Sequence, residues 1–365
     1  MRGPHSRRLG WTEIAPPVAF VALLLVWGRH PGPLGLTVAA LLLAVAVLAA
    51  VHHAEVVAHR VGEPFGSLVL AVAVTVIEVA LILTLMLSGG DDTSTLARDT
   101  VFAAVMITCN GIVGISLLVG AVRFGTTHFN AEGTGAALAC VITLAVTCLV
   151  LPNFTTTTPG PEFSGSQLAF VAVASLALYA MFVVTQTVRH RDFFLPVMEG
   201  GELMPEEDHA ARPTNRRAVL SLALLLVSLL AVVGLAKIES APIEDAVKSL
   251  NLPQAVVGVI IALLVLLPES IAAVNAARRD RTQISLNLGY GSAMASIGLT
   301  IPTIAVASIW LDGPLDLGLA PSHIVLLALT AVVSVLTVVP GRATRLQGGV
   351  HLVVLASYLV LSVRP

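Results

Sequence analysis

Charge is scarce in this 365-residue chain, where Asp, Glu, Lys and Arg together make 12% of the residues against 56% hydrophobic. That leaves too little polar surface to wrap a water-soluble fold, so no nucleic-acid partner and no soluble active site is expected. Cysteine is nearly absent: Cys109, Cys140 and Cys148 all fall in apolar runs. They support neither a soluble disulfide framework nor a four-ligand zinc site. A His-Glu-x-x-His helix is missing too, which removes an intramembrane metalloprotease of that type from consideration.

What is present is a succession of long apolar runs. Crossing a hydrocarbon core of about 30 Å takes about 20 helical residues. Runs of that kind occur eleven times, near 14–28, 33–51, 64–88, 100–122, 133–152, 167–188, 218–236, 252–276, 283–310, 321–340 and 346–363. Stretches such as Leu41–Leu48 lack the strict alternation of barrel strands, so the spans are helices. The expected fold is an all-α polytopic membrane protein with 11 transmembrane helices, arranged as one plus two inverted five-helix repeats. The segments are 1–32 with span 1, a first repeat over 33–188, a linker over 189–217 and a second repeat over 218–365.

Lys and Arg number 20, and with a cytoplasmic N-terminus fifteen of them fall in cytoplasmic segments, among them Arg60, Arg123, Arg189, Arg278, Arg279, Arg281, Arg342 and Arg345. Such a split across short loops is what the positive-inside rule expects, and eleven spans then leave the C-terminus external. Ser6-Arg7-Arg8-Leu9-Gly10 resembles a twin-arginine signal, but no small-x-small cleavage site follows, so the first run reads as a span of a bacterial-type inner membrane protein. The long 189–217 loop carries Glu206, Glu207 and Asp208 with several prolines. It reads as a solvated cytoplasmic hinge or as a regulatory cation-binding segment.

Two acids stand out. Glu269 lies in Leu266-Leu267-Pro268-Glu269-Ser270, where the proline removes a helix hydrogen bond. Glu78, in Val76-Ile77-Glu78-Val79, is the only other acid that these span boundaries leave deep in the membrane. An acid at the bilayer centre costs roughly 3 kcal/mol on insertion scales, so such residues are functional candidates. Each is followed by a short loop and a helix rich in small and polar residues: Cys109-Asn110-Gly111 after Glu78, and Asn287-Leu288-Gly289-Tyr290-Gly291-Ser292 after Glu269. Five spans separate the copies, so their topologies are inverted, the architecture of secondary transporters.

Eleven spans, an acidic central loop, two hairpins with one buried Glu each, the Ala54–Gly66 stretch and the Arg98–Ile107 stretch together resemble the cation/proton exchanger branch of the calcium/cation antiporter superfamily, most nearly its bacterial ChaA-type (sodium/potassium/calcium)/proton antiporters. The resemblance covers nearly all the chain after span 1. It implies that Glu78 and Glu269 ligate the transported Ca2+, Na+ or K+ and carry protons, with Asn110 and Ser292 beside them. Thr75 stands where many members of that family have an asparagine.

A hard cation wants six to eight oxygens, which two carboxylates, the hydroxyl of Thr75, the amide of Asn287, loosened carbonyls and water supply. Gly111 and Gly291 allow an opened backbone there or simply close helix packing. Two neighbouring carboxylates in a low-dielectric site do not both stay charged once the cation leaves, so protons replace it, and exposure to one side at a time makes an antiporter. No cofactor is expected. His52, Glu55 and His59 share a helix face, so they read as a regulatory metal or pH site or as a polar helix end. A channel would want a pore-lining ring or filter, which two matched halves around two acids do not suggest.

Overall fold

The structure is a computed structural model that describes residues 10–29, 31–62, 65–88, 94–198, 202–204, 213–310 and 313–364. The acidic trio Glu206, Glu207 and Asp208 lies outside these residues. Helices α1 (Trp11–Val26), α2 (Pro33–Val61) and α3 (Phe65–Ser88) are followed by a broken span. In it α4 (Leu96–Met106) and α5 (Val113–Phe124) flank a π-helical stretch at Ile107–Ile112. Then come α6 (Ala131–Ala145), α7 (Gly165–Val184), α8 (Asn215–Ser249), α9 (Ala255–Ala277), α10 (Thr282–Ala307), α11 (Pro321–Val338) and α12 (Arg345–Val363). Among the described residues, 9 of these helical stretches are long and apolar enough to cross a membrane, and Trp11–Val26 and Val72–Leu87 are shorter apolar helices.

Local chemistry sets the helix starts. Pro33 and Pro321 open α2 and α11, where a missing N–H goes unpunished. Capping boxes begin α7 at Ser164/Gln167 and α12 at Thr344/Gln347, and Asn130 caps α6 by accepting from the Glu132 and Gly133 amides. Two helices overrun the expected boundaries. α2 continues past residue 51 to Val61, and α8 continues past 236 to Ser249 despite Pro242. The stretch 237–249, expected as an external loop, is therefore helical, and Glu239 within it is buried at 5% exposure. Glu78 and Glu269 are thus not the only buried acids.

The helices assemble into two packed bodies. One core unites α4 to α7 with α10, α11 and α12; the other unites α1, α2, α3 and α8, and α9 contributes to both. Contacts pair off when the five-helix sets are exchanged. α2 packs on α8; α3 packs on α8 as α9 packs on α2; α4 packs on α9 as α10 packs on α3; and α10 packs on α7 as α12 packs on α5.

Loops gather at two ends. At one, β1 (Thr127–His128) pairs antiparallel with β2 (Arg342–Ala343), the Asn130 amide donates to Gln283 Oε1 at 2.7 Å, and Asn287 Nδ2 donates to the Phe194 carbonyl at 2.7 Å. At the other, Ser94 Oγ donates to Asp316 Oδ2 at 2.8 Å, Arg98 Nη1 to the Gly318 carbonyl at 3.0 Å, and the Gly318 amide to the Pro161 carbonyl at 3.0 Å. The division into two ends is the one that alternating spans require.

One glycine shows how tight the α4–α9 crossing is. A Cβ on Gly258 would stand 2.8 Å from backbone atoms of Asp99 and Thr100, whereas one on Gly291 meets nothing within 4 Å. Gly258→Ala is therefore expected to destabilise the purified protein by about 1–3 kcal/mol, the range for overpacking. Gly291→Ala should change its thermal unfolding little, and equal effects would contradict the packing described.

Candidate functional site

A cavity of about 220 Å³ opens where the two bodies meet, and both expected glutamates line it. α3 contributes Thr75 and Glu78, α9 contributes Leu266 and Glu269, and α10 contributes Asn287, Gly291, Ser292 and Ser296. Tyr179, Phe182 and Val183 of α7, with Gln186 just beyond it, close the remaining wall. From the glutamates the cavity runs toward Ile284 and Gln186, the end of the molecule where Arg342 and the β-strands lie.

Glu78 is 2% exposed and Glu269 is 7% exposed. Ser296 Oγ donates to Glu78 Oε2 at 3.0 Å, while Glu78 Oε1, Glu269 Oε2 and Thr75 Oγ1 find no hydrogen-bond partner among the described residues. Pro268, immediately before Glu269, leaves the Leu264 carbonyl without its helical donor. Among the described residues, no basic side chain lines this cavity. Its polar lining is hydroxyl, carboxylate and amide groups, with no thiol or imidazole among them, so its oxygens suit hard alkali or alkaline-earth cations. The volume leaves room for a cation and several waters.

Two of the expected site residues stand apart. Asn110 is fully buried but faces α11 and α12: its Nδ2 donates to Thr330 Oγ1 at 2.9 Å, and its Oδ1 lies 3.2 Å from His351 Nδ1. The carbonyl oxygen only accepts, so His351 carries its proton on Nδ1 and its Nε2 accepts from Thr337 Oγ1 at 3.2 Å. Gly111 packs against Leu355. The physical reason is the π-helical stretch, whose extra residue turns Asn110 and Gly111 off the face that regular α-helical counting gives them. Ser292, its counterpart on the regular helix α10, does line the cavity.

Near the Arg60 end of α2, His52 is half-buried while Glu55 and His59 are exposed, and His53 instead makes the tertiary contact, donating from Nε2 to the Thr12 carbonyl at 2.8 Å. Among the described residues no three His, Cys, Asp or Glu side chains are grouped to hold a metal ion.

Reasoning from sequence missed Ser296, Gln186 and Tyr179. Ser296 lies one helical turn beyond Ser292, and extending the α10 face by that turn would have found it. Gln186 sits in another π-helical stretch, Thr185–Arg189, which has no comparable signal.

The family profile described as sodium/calcium exchanger protein matches residues 31–188 and 220–364. The protein y4hA of Sinorhizobium fredii, named for ionic transport, is 48% identical over 89% of this chain and 87% of its own length. The sodium-potassium/proton antiporter ChaA of Escherichia coli is 34% identical over 96% of this chain and 95% of its own. Among solved structures, an H+/Ca2+ exchanger, CAX, is similar in fold with a TM-score of 0.68 at 14% identity, covering 96% of this chain and 92% of that one.

The two polar clusters should separate on mutation. Ser296→Ala removes a hydrogen bond to a carboxylate and a neutral oxygen from the cavity, and is expected to weaken apparent cation affinity at least tenfold along with any loss of thermal stability. Asn110→Ala leaves buried partners unpaired and should lower stability by about 1–3 kcal/mol with affinity nearly unchanged. Scanning fluorimetry and cation titration of flux would show both, and a reversed pattern would place Asn110 at the cation.

Proposed function

The chain belongs to the sodium/calcium exchanger protein family, a family of transporters and not of enzymes, and from that premise we propose a multi-pass cation/proton antiporter that exports Ca2+. Na+ or K+ are further substrates, and transport proceeds by alternating access around Glu78 and Glu269. The observation that carries this reading is the shared cavity, in which each of two matched helices supplies one carboxylate with an unpartnered oxygen.

The chemistry follows from charge. Two carboxylates neutralise one divalent cation or two protons equally, so either occupant leaves the apolar interior without net charge. The empty, doubly charged site is the unfavourable species, and it is the state in which the protein would leak. Ser296, Thr75, Ser292 and Asn287 supply neutral oxygens that replace part of a cation's hydration shell. Because the cavity lies at the seam of two bodies, their relative displacement closes one approach and opens another.

The likeness to ChaA favours a second reading, Na+ or K+ exchange for protons with little calcium activity. Flux measurements with each ion decide between the two.

We assign the arginine-rich end to the cytoplasm and the Asp316 end to the exterior, with the N-terminus inside and the C-terminus outside, in a bacterial inner membrane. The paired contacts of the two five-helix sets support inverted repeats.

Glu78→Gln and Glu269→Gln are each expected to abolish cation-driven dissipation of a pH gradient in everted vesicles, a loss of a hundredfold or more, with the protein still inserted. Gln keeps the size of the side chain and loses both charge and proton, so proton-coupled flux in either variant would refute the two-carboxylate site. In a cysteine-free background, single cysteines at Arg279 and Arg342 should be labelled from the cytoplasmic side and one at Asp316 from outside. Labelling of positions 279 and 316 from the same side would remove the structural basis for inverted repeats.

A further inference from the structure

Two acids outside the central pair lie in the C-terminal halves of matching helices. Glu55 lies toward the Arg60 end of α2 and is exposed, on a helix that packs against α9, the helix of Glu269. Glu239 lies on the outer part of α8, the helix that takes the place of α2 when the five-helix sets are exchanged. α2 packs against α9, and in the same exchanged relation α8 packs against α3, the helix of Glu78.

Their environments differ. Glu55 is open, on the side toward which the cavity runs, whereas Glu239 is 5% exposed and its Oε1 is buried with no hydrogen-bond partner among the described residues. A buried carboxylate oxygen without a donor is expensive, and a protein keeps one where another state of the molecule uses it. Packing offers no such reason, since an apolar side chain would fill that place on α8 at lower free energy.

We infer that Glu239 is a way station for the transported inorganic cation on the outer route to Glu78, as Glu55 is on the inner route to Glu269. In the conformation described, Glu55 is exposed and the cavity reaches from Glu78 and Glu269 toward Gln186 and Ile284. Glu239 is buried with its Oε1 unmet among the described residues. Sliding of the α1, α2, α3 and α8 body against the other would exchange the two situations. The inference rests on the exchanger reading above and adds a residue that neither sequence spacing nor the central cavity indicates.

The test is a crossed pair of variants assayed from both sides. In everted vesicles, where cation is offered to the cytoplasmic face, Glu55→Gln should raise the apparent KM for Ca2+ or Na+ at least fivefold while Glu239→Gln stays within twofold of wild type. In right-side-out vesicles, where cation is offered to the outer face, the ranking should invert. Thermal unfolding guards against misfolding: Glu239→Gln should melt no lower than wild type, because it removes a buried charge whose Oε1 has no donor among the described residues, and Glu239→Asp should recover the outer KM. A Glu239→Gln protein with normal KM from both faces, or one whose only defect is a lowered melting temperature, overturns the inference and leaves Glu78 and Glu269 untouched. Absence of proton-coupled flux in the wild-type protein with Ca2+, Na+ and K+ overturns the exchanger reading and this inference with it.

Discussion

Everything in this molecule answers to one constraint, that carboxylates held out of water with unmet oxygens must not remain bare. Among the described residues Glu78 accepts from Ser296, Glu269 has one oxygen buried without a partner, and no Lys or Arg lines the cavity to compensate. Taking an isolated carboxylate from water into a medium of low dielectric costs, after relaxation, several kcal/mol per ion. A fixed salt bridge would remove that penalty permanently and stop the cycle. A mobile counter-ion removes it only while bound, so occupancy becomes the thermodynamic drive and the protein's shape decides from which side the occupant comes.

The two-body packing is the other half of that logic. α9 belongs to both cores, with Val259, Ala262 and Leu266 on one side and Val257, Ile261 and Val265 on the other, and Glu269 follows at the end of this shared helix. Interfaces between packed bodies shift between discrete arrangements and do not deform smoothly, so a site at the seam is exposed or occluded by small displacements. The His351, Asn110, Thr330 and Thr337 cluster lies instead within the larger body. A closed hydrogen-bond network there fixes α5, α11 and α12 as a unit without adding charge.

Much of this was legible in the sequence. Each expected span overlaps a helix, 9 of the described helical stretches being long and apolar enough to cross a membrane, because a lipid-exposed backbone has few alternatives to a helix and apolar runs therefore report it directly. Glu78 and Glu269 were visible for the same reason: a charge in such a run is conspicuous. What the sequence did not disclose was azimuth and helix extent. Asn110 seemed to belong with Ser292 by position, and a π-helical stretch that no composition announces turned it toward His351. Glu239 seemed to lie in a loop because hydropathy falls after residue 236, but helix propensity and packing against α3 carry α8 on to Ser249. Hydropathy marks where lipid ends; it does not mark where the helix ends.

The interleaving of the halves bears on how the chain is made. Glu78 has its donor, Ser296, on α10, and the helix of Glu269 lies beside it, yet these arrive roughly 190 and 220 residues later in synthesis. At about 5–20 residues per second the delay is on the order of 10–40 s. During that interval α3 sits in the bilayer with an acid that lacks its final neighbours, held by the apolar residues flanking it on both sides. An insertion penalty of roughly 3 kcal/mol for that acid is met by the remaining leucines, isoleucines and valines of the helix. The apolar excess of α3 is thus a requirement of biogenesis, and polar replacements in Val72–Leu87 that a finished protein tolerates would be lost at the translocon before the second half was made.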